Sequence, residues 1–395
     1  MLTAAQNEML TRVGPGTAMG ELLRRYWFPV AMAPELTDEQ PTKFVRILGE
    51  DLVLFKDKSG NVGLIQDHCA HRGASLLYGR VEERGIACAY HGWLYDTAGS
   101  CLECPAEPAD SMFHLTVKMQ AYPVQDFVGM YWAYLGPLPA PVIPKYDLWA
   151  RQDGTRRLYV QPRLDCNFLQ PMENSVDPAH LQILHQDSIG NRQRQHLANL
   201  PTNRRVAPST TRGFTDDVES FDFIEVPYGI MKRRVFKTGR VDEHPLIFPN
   251  ILRVGNATQI RVPVDDTHTQ VFIVHFDPTE DGSVPEPQSQ PPVTYIEPYK
   301  TPMTALHPIA HFRMDETQAQ DHMAWETQGP IVDRSVERLA TTDRGIVMLR
   351  QMYLREIERM QRGEDPKSVL RDPDHAIIDT NLTDTIRLMW ERASI

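Results

Sequence analysis

Cys69-Ala70-His71-Arg72-Gly73 and Cys88-Ala89-Tyr90-His91-Gly92-Trp93 are two loops of the same make, with sixteen residues between His71 and Cys88. Each joins one cysteine to one histidine, C-x-H in the first and C-x-x-H in the second. Each also carries a glycine, which lets backbone amides approach whatever the side chains hold. Two thiolates and two imidazoles fit a 2Fe-2S cluster in which cysteines hold one iron and histidines the other. Neutral imidazoles in place of two thiolates remove negative charge and raise the reduction potential. A structural zinc site also accepts this donor set, but its usual spacings group cysteine with cysteine and histidine with histidine. One of each per loop favours the cluster.

The remaining cysteines agree. The 395-residue chain has five, the others being Cys101, Cys104 and Cys166. An odd and sparse set is no disulfide framework. Cys101 and Cys104 form a C-x-x-C that reads as packing behind the cluster rather than as a redox dithiol, since no partner pair and no βαβ context accompany it. Cys166 reads as a small core residue. The 52 acidic residues outnumber the 41 basic ones, a net charge of −11, which argues against a nucleic-acid partner. No apolar run approaches the ~20 residues of a membrane-spanning helix. The first thirty residues lack the apolar core of a secretory signal, so a cytoplasmic location is expected.

At roughly 100–200 residues per domain, the length allows two or three domains. Three regions differ in texture. Residues 1–40 mix a short helix, Met19 to Trp27, with the turn Gly14-Pro15-Gly16, and are expected to pack on the third region. Residues 41–145 alternate short apolar runs with turn signals (Phe44 to Leu48, Asp51 to Phe55, Val62 to Ile65, Gly129 to Leu135), the mark of a small all-β domain. The proline-rich stretch Pro137 to Pro144 reads as a stiff boundary. Residues 146–395 read as α+β. They hold a helical segment over Asn167 to His185 and strands over Phe221 to Val226, Ile230 to Lys237, Leu246 to Val254, Gln259 to Val264 and Thr269 to Phe276. The last two strands are joined by a hairpin turn at Asp265-Asp266-Thr267-His268. Glu280 to Pro292 reads as an exposed loop. A long helix spans Asp343 to Arg362, with Gly363 to end it and Pro366 beyond.

A second constellation lies in Glu173-Asn174-Ser175-Val176-Asp177-Pro178-Ala179-His180-Leu181-Gln182-Ile183-Leu184-His185. On an ideal helix His180 and His185 would point about 140° apart, so both reach one metal only if the helix bends, ends or widens between them. Asp177 followed by Pro178 suits a helix start. Asp177 also sits three residues before His180, close enough for its carboxylate to fix the histidine's tautomer.

Taken together, these motifs resemble those of the Rieske non-haem iron oxygenases, in the phthalate-dioxygenase-like group of oxygenase (alpha) subunits. The resemblance rests on the two cluster loops with their flanks (His71 to Leu76, His91 to Asp96), followed by N-x-x-D-x-x-H-x-x-x-x-H, and it covers nearly the whole chain. One departure is Ala70, where the family often has proline; it removes no ligand. The resemblance implies that Cys69, His71, Cys88 and His91 hold a Rieske 2Fe-2S cluster. His180 and His185 become ligands of a mononuclear non-haem Fe(II), Asp177 a carboxylate that bridges to the cluster histidine of a neighbouring subunit, and Asn174 a polar residue of the site. A facial triad needs one more acid. The segment Gln320 to Ser335 resembles the third-ligand region and aligns Asp321, with Asp315, Glu316 and Glu326 as competitors that spacing leaves open.

The fold so implied is α+β, a small all-β Rieske domain plus a larger antiparallel-sheet catalytic domain with helices, of helix-grip or START-like type. The function implied is that of a terminal oxygenase hydroxylating an aromatic, carboxylated substrate with O2. With no G-x-G-x-x-G site for a dinucleotide, electrons would come from a separate NAD(P)H-dependent reductase, with or without a ferredoxin. The assembly implied is a homotrimer. Oxidative O-demethylation of an aryl methyl ether is the alternative within the class, and a Rieske electron-transfer protein is the alternative outside it. Strand alternation marks Phe221, Phe223, Asn250, Leu252, Val271 and Ile273 as one inward face that could line a substrate pocket. Lys232, Arg233, Arg234 and Arg261 are available to a substrate carboxylate.

Overall fold

The computed structural model describes residues 1–185, 217–302, 310–381 and 389–390. Two short helices open the chain, α1 (Ala4–Thr11) and α2 (Ala18–Leu23). The expected helix from Met19 to Trp27 ends early. Trp27 to Met32 is aromatic and apolar throughout and completely buried, and it is drawn into a strand, β1. Ten further strands follow: β2 (Thr42–Ile47), β3 (Glu50–Lys56), β4 (Val62–Gln66), β5 (Arg80–Glu82), β6 (Gly85–Ala87), β7 (Leu94–Tyr95), β8 (Cys101–Glu103), β9 (Ala121–Tyr122), β10 (Val124–Phe127) and β11 (Met130–Tyr134). They form three small antiparallel sheets, ordered β1-β11-β10, β2-β3-β4-β9 and β5-β6-β7-β8. The cluster loops sit on the last of these. The first loop leads from β4 into β5, and the second joins β6 to β7.

The second region contains α3 (Asp147–Ala150), β12 (Gly154–Val160), α4 (Leu169–Ser175) and α5 (His180–Ile183), then β13 (Val218–Val226), β14 (Gly229–Phe236), β15 (Val241–Ile247), β16 (Ile251–Val254), β17 (Ala257–Asp265), β18 (His268–Pro278) and β19 (Val293–Tyr295), and finally α6 (Thr317–Glu326) and α7 (Arg344–Gln361). Its sheet runs β13 to β18 as an antiparallel meander. β12 lies beside β18, and β19 adds the one parallel pairing at the edge. The expected single strand Leu246 to Val254 is two strands. The chain turns at Phe248-Pro249-Asn250, where proline cannot donate to a ladder.

The pairing register decides which side chains share a face. Phe221 and Phe223 stand opposite Arg234 and Lys232. Lys232 stands opposite His244, Leu252 opposite Gln259, Arg261 opposite Val271, and Gln259 opposite Ile273. All of these point to one side, and helices cover it. On α7 the buried residues Leu349, Met352, Tyr353, Ile357 and Met360 recur at three- and four-residue steps, a stripe that packs on the sheet. Gly345 is required there, because a Cβ would meet the Phe223 ring at 2.4 Å. Deep in the same layer Glu173 of α4 accepts from Arg334 Nε at 2.7 Å and from Arg350 Nε at 2.6 Å, locking α4 to α7. No described helix is long and apolar enough to cross a membrane.

Candidate metal centres

In the first loop Gly73 N donates to Cys69 O at 2.8 Å, and in the second Gly92 N donates to Cys88 O at 2.9 Å. Both glycines have positive φ, +73° and +74°, so each loop turns back over its cysteine in a conformation that strains other residues. Cys69 and Cys88 are buried. Burial, with Cys88 nearby, pushes the Cys69 thiol above its usual range despite a contact from Tyr95. The Tyr95 hydroxyl, itself fully buried, lies 3.2 Å from Cys69 Sγ. His71 and His91 sit further out, ring centroids 4.5 Å apart, with Trp93 stacked on His71 at 4.5 Å.

The arrangement therefore has a cysteine end and a histidine end. Among the described residues, only His180, His185 and Asp321 bring three donor atoms within 4.8 Å of one another. The four loop donors do not converge on one point, as a single tetrahedral zinc requires. A two-iron cluster with cysteines on one iron and histidines on the other fits this separation. Behind it, Cys101 and Cys104 are buried thiols with Sγ atoms 3.6 Å apart, not a disulfide.

At the second centre the helix expected over Asn167 to His185 is interrupted. α4 ends at Ser175, Val176 leaves the helical region at ψ 9°, and α5 begins only at His180. Asp177 does not cap a helix directly; its Oδ1 accepts from Ala179 N at 2.8 Å and shapes the turn before α5. The break allows what a straight helix forbids. The rings of His180 and His185 lie 5.3 Å apart, nearly perpendicular. Asp321 Oδ1, from α6, lies 3.1 Å from His185 Nε2 and 3.8 Å from His180 Nε2.

The other ring nitrogens face acceptors. His185 Nδ1 is 2.8 Å from Gln320 Oε1, whose own Nε2 donates to Met314 O at 2.7 Å and so fixes the amide. His180 Nδ1 is 3.4 Å from Asp177 Oδ2, an ion-pair distance without hydrogen-bond geometry. Each histidine therefore directs Nε2 inward and turns Nδ1 outward, where Gln320 holds that of His185 and Asp177 faces that of His180, the orientation that metal-bound imidazoles adopt. Burial alone would raise the Asp177 pKa, but the close His180 ring, the Ala179 amide and the charge of Lys232 beyond hold it below the usual carboxylate value. Asp321 Oδ1 is buried without a hydrogen bond, as suits an atom whose partner is a cation. The donor set of two imidazoles and one carboxylate matches a facial triad for iron.

Of the acids left open by spacing, the structure brings Asp321 to the histidines. Glu326 is held by Lys300 instead. Asn174 is half-buried on the last turn of α4. The six expected pocket residues divide. Val271 and Ile273 cluster with Trp325, one turn beyond Asp321. Phe221, Phe223 and Leu252 share their sheet face; Phe221 and Phe223 pack into the main core. Asn250 spends its side chain on Arg261 O at 2.9 Å. Gln320 and Tyr95 escaped the sequence reading; only their contacts in space with His185 and Cys69 mark them.

The Rieske 2Fe-2S domain model matches residues 26–123. The chain is 38% identical over 383 residues to the 5,5'-dehydrodivanillate O-demethylase oxygenase subunit of Sphingobium sp., covering 94% of this chain and 84% of that one. It is 32% identical to the phthalate 4,5-dioxygenase oxygenase subunit of Pseudomonas putida, covering 92% and 88%. An oxygenase in a ferredoxin complex of carbazole 1,9a-dioxygenase has the same fold, with a TM-score of 0.59 at 19% identity over 89% of this chain and 94% of that one. With both metal centres provided for in one chain and relatives matched over nearly its full length, the protein belongs to the Rieske non-haem iron oxygenases, as an oxygenase subunit.

Proposed function

We propose that this chain is the terminal oxygenase of a multicomponent system that oxidises an aromatic substrate. Cys69, Cys88, His71 and His91 would hold the 2Fe-2S cluster, and His180, His185 and Asp321 the mononuclear iron. When bound, these groups supply single electrons and dioxygen activation, respectively. The chain's own residues do the rest. The broken helix aims both imidazoles, Gln320 fixes the tautomer of His185, the Asp177 carboxylate faces His180 Nδ1, and the apolar wall at Val271 and Ile273 limits water beside the triad. The observation that carries this reading is the one close donor set among the described residues, His180, His185 and Asp321, in a chain that also bears the cluster loops.

Electrons would come from a separate NAD(P)H-dependent reductase, with or without a ferredoxin, as the ferredoxin complex of a structural neighbour supports. A homotrimer, with Asp177 facing His91 of the next subunit, follows from the family resemblance. Oxidative O-demethylation is the second reading, favoured by 38% identity to an O-demethylase subunit against 32% to a ring dioxygenase subunit.

The test is a substrate screen with a surrogate reductase under labelled O2, scored by product mass. Formaldehyde release marks demethylation, and a diol or phenol without it marks ring oxidation. Purified protein should carry about three irons per chain, two in the cluster and one in the triad; about two would support an electron carrier instead.

Tyr95 gives a separate prediction. Its hydroxyl, 3.2 Å from Cys69 Sγ, would stabilise the more negative, reduced state of a cluster held there. Tyr95→Phe removes a bond worth about 1 kcal/mol, and redox titration should show the potential lowered by roughly 40–60 mV. An unchanged potential would remove the hydroxyl from that role.

A further inference from the structure

The C-x-x-C spacing reads as packing, and Cys101 and Cys104 do pack, in one apolar cluster with Cys69, Cys88, Trp93 and Tyr95. The structure adds a proximity that spacing cannot give. The two Sγ atoms lie 3.6 Å apart, and both are free thiols. A disulfide is about 2.05 Å long, so closing one would draw these sulfurs together by about 1.5 Å. The two thiols are unequally placed. Cys104 is 9% exposed, between exposed Glu103 and Pro105. Cys101 is more deeply buried, and its Sγ donates to Glu103 O at 3.5 Å. Burial, with Cys104 beside it, pushes the Cys101 thiol up to about 12. Cys104 therefore meets an oxidant first, and Cys101 acts second, on a sulfur already next to it.

Each cysteine is tied to a different cluster loop. Cys101 stands opposite Tyr95 in the β7–β8 ladder, and the Tyr95 hydroxyl lies 3.2 Å from Cys69 Sγ. Pro105, which follows Cys104, lies against Gly92, where a Cβ would meet Pro105 Cγ at 3.2 Å. Drawing the two sulfurs together therefore pulls on the contacts behind both loops, and interiors this closely packed transmit the shift. Loosening the Tyr95 contact removes support from the reduced cluster, so the potential falls.

We propose that Cys101 and Cys104 are a reversible peroxide-oxidised disulfide site that slows electron entry by lowering the reduction potential of the adjacent cluster. In the first step Cys104 Sγ attacks one oxygen of hydrogen peroxide. The O–O bond breaks, an S–O bond forms, and the thiol proton leaves with the other oxygen as water. In the second step Cys101 Sγ attacks Cys104 Sγ. The S–O bond breaks, the S–S bond forms, and the hydroxyl leaves with the Cys101 proton as a second water. The two sulfurs lose two electrons, and one peroxide becomes two waters. Peroxide is what O2 becomes when it takes two electrons and two protons without oxidising a substrate. That source rests on the oxygenase reading; the thiol pair does not.

The experiment treats the full-length, metal-loaded protein with about one equivalent of hydrogen peroxide. Free thiols are then alkylated under denaturing conditions and the peptides weighed, and the cluster is titrated in parallel. In wild type the peptide carrying Cys101 and Cys104 should lose both labels while Cys166 keeps its own. At a fixed poise the ratio of reduced to oxidised cluster should fall by about fivefold, the worth of one hydrogen bond. A dithiol reductant should restore both. Cys104→Ser and Cys101→Ala should start at the wild-type potential and stay there after peroxide. Two variants are used so that one that fails to fold, judged by its cluster spectrum, leaves the other. Tyr95→Phe should still form the disulfide but show no further fall. Retained labels, an unmoved potential in oxidised wild type, or an equal fall in the cysteine variants would each overturn the proposal. If added peroxide closes the pair and lowers the potential, but reduced protein under O2 yields neither product nor peroxide, the site is supported and the oxygenase reading fails.

Discussion

Asp177→Asn protein should keep its full complement of iron and turn over about a hundredfold more slowly than wild type, at the upper end for loss of a partner that orients a metal-bound histidine. The substitution is nearly isosteric. Asparagine Oδ1 can still accept from Ala179 N, so the turn between α4 and α5 survives, and with it the approach of His180 to His185. What is lost is a negative charge 3.4 Å from His180 Nδ1. In the proposed trimer that charge also serves as the step between His91 of one subunit and His180 of the next. Two readouts separate the roles. If Asp177 only oriented His180, iron content would fall along with rate. If it carries the coupling, iron stays near three per chain, the cluster still reduces, and product per reduced cluster collapses. An iron-replete variant with wild-type turnover would rule Asp177 out of both.

The two centres were unequally legible because their ligands are unequally local. Each cluster loop carries its cysteine and histidine within four residues, so spacing and flanks favoured the cluster over zinc, and the loop donors do not converge on one point. At the second centre the five-residue gap demanded a broken helix, and the chain does break between Ser175 and His180. The third acid could not be chosen the same way. Asp315, Glu316, Asp321 and Glu326 are all separated from His185 by at least 130 residues, and only packing tells them apart. The strand break at Pro249 was hidden by the apolar residues on either side of it, Leu246 to Phe248 and Ile251 to Leu252, and the early end of α2 by the same apolar residues that make β1. In both places tertiary pairing overrode local pattern. Basic residues were legible as a group, but which of them lacked a counter-charge depends on Asp242 and Glu243 across the hairpin, a matter of register.

Removing the proposed third ligand should have the largest effect. Asp321→Ala is expected to carry about two irons per chain instead of three, with the visible spectrum of the cluster unchanged. Coupled turnover should fall by more than the roughly 10–100-fold that an orienting partner costs. Two imidazoles alone leave a divalent iron without the anionic ligand of the facial triad, and metal affinity drops accordingly. Stability supplies an independent check. In the iron-free protein Asp321 is a carboxylate whose buried Oδ1 makes no hydrogen bond, faced by His180 and His185 and within the field of Arg261. Burial opposes it, but the close carboxylate of Asp321, with help from Gln320, raises the His185 pKa. Removing such a group relieves desolvation, so the iron-free variant should melt no lower than iron-free wild type, even though the iron-loaded wild type melts higher than either. A side chain kept only for structure would give the reverse, a lower melting point with iron content intact. Glu326→Gln is the matched control, since Glu326 is held by Lys300, and it should leave the third iron in place. If Glu326→Gln lost that iron and Asp321→Ala kept it, the ligand would be Glu326, and α6 would have to rotate to present it.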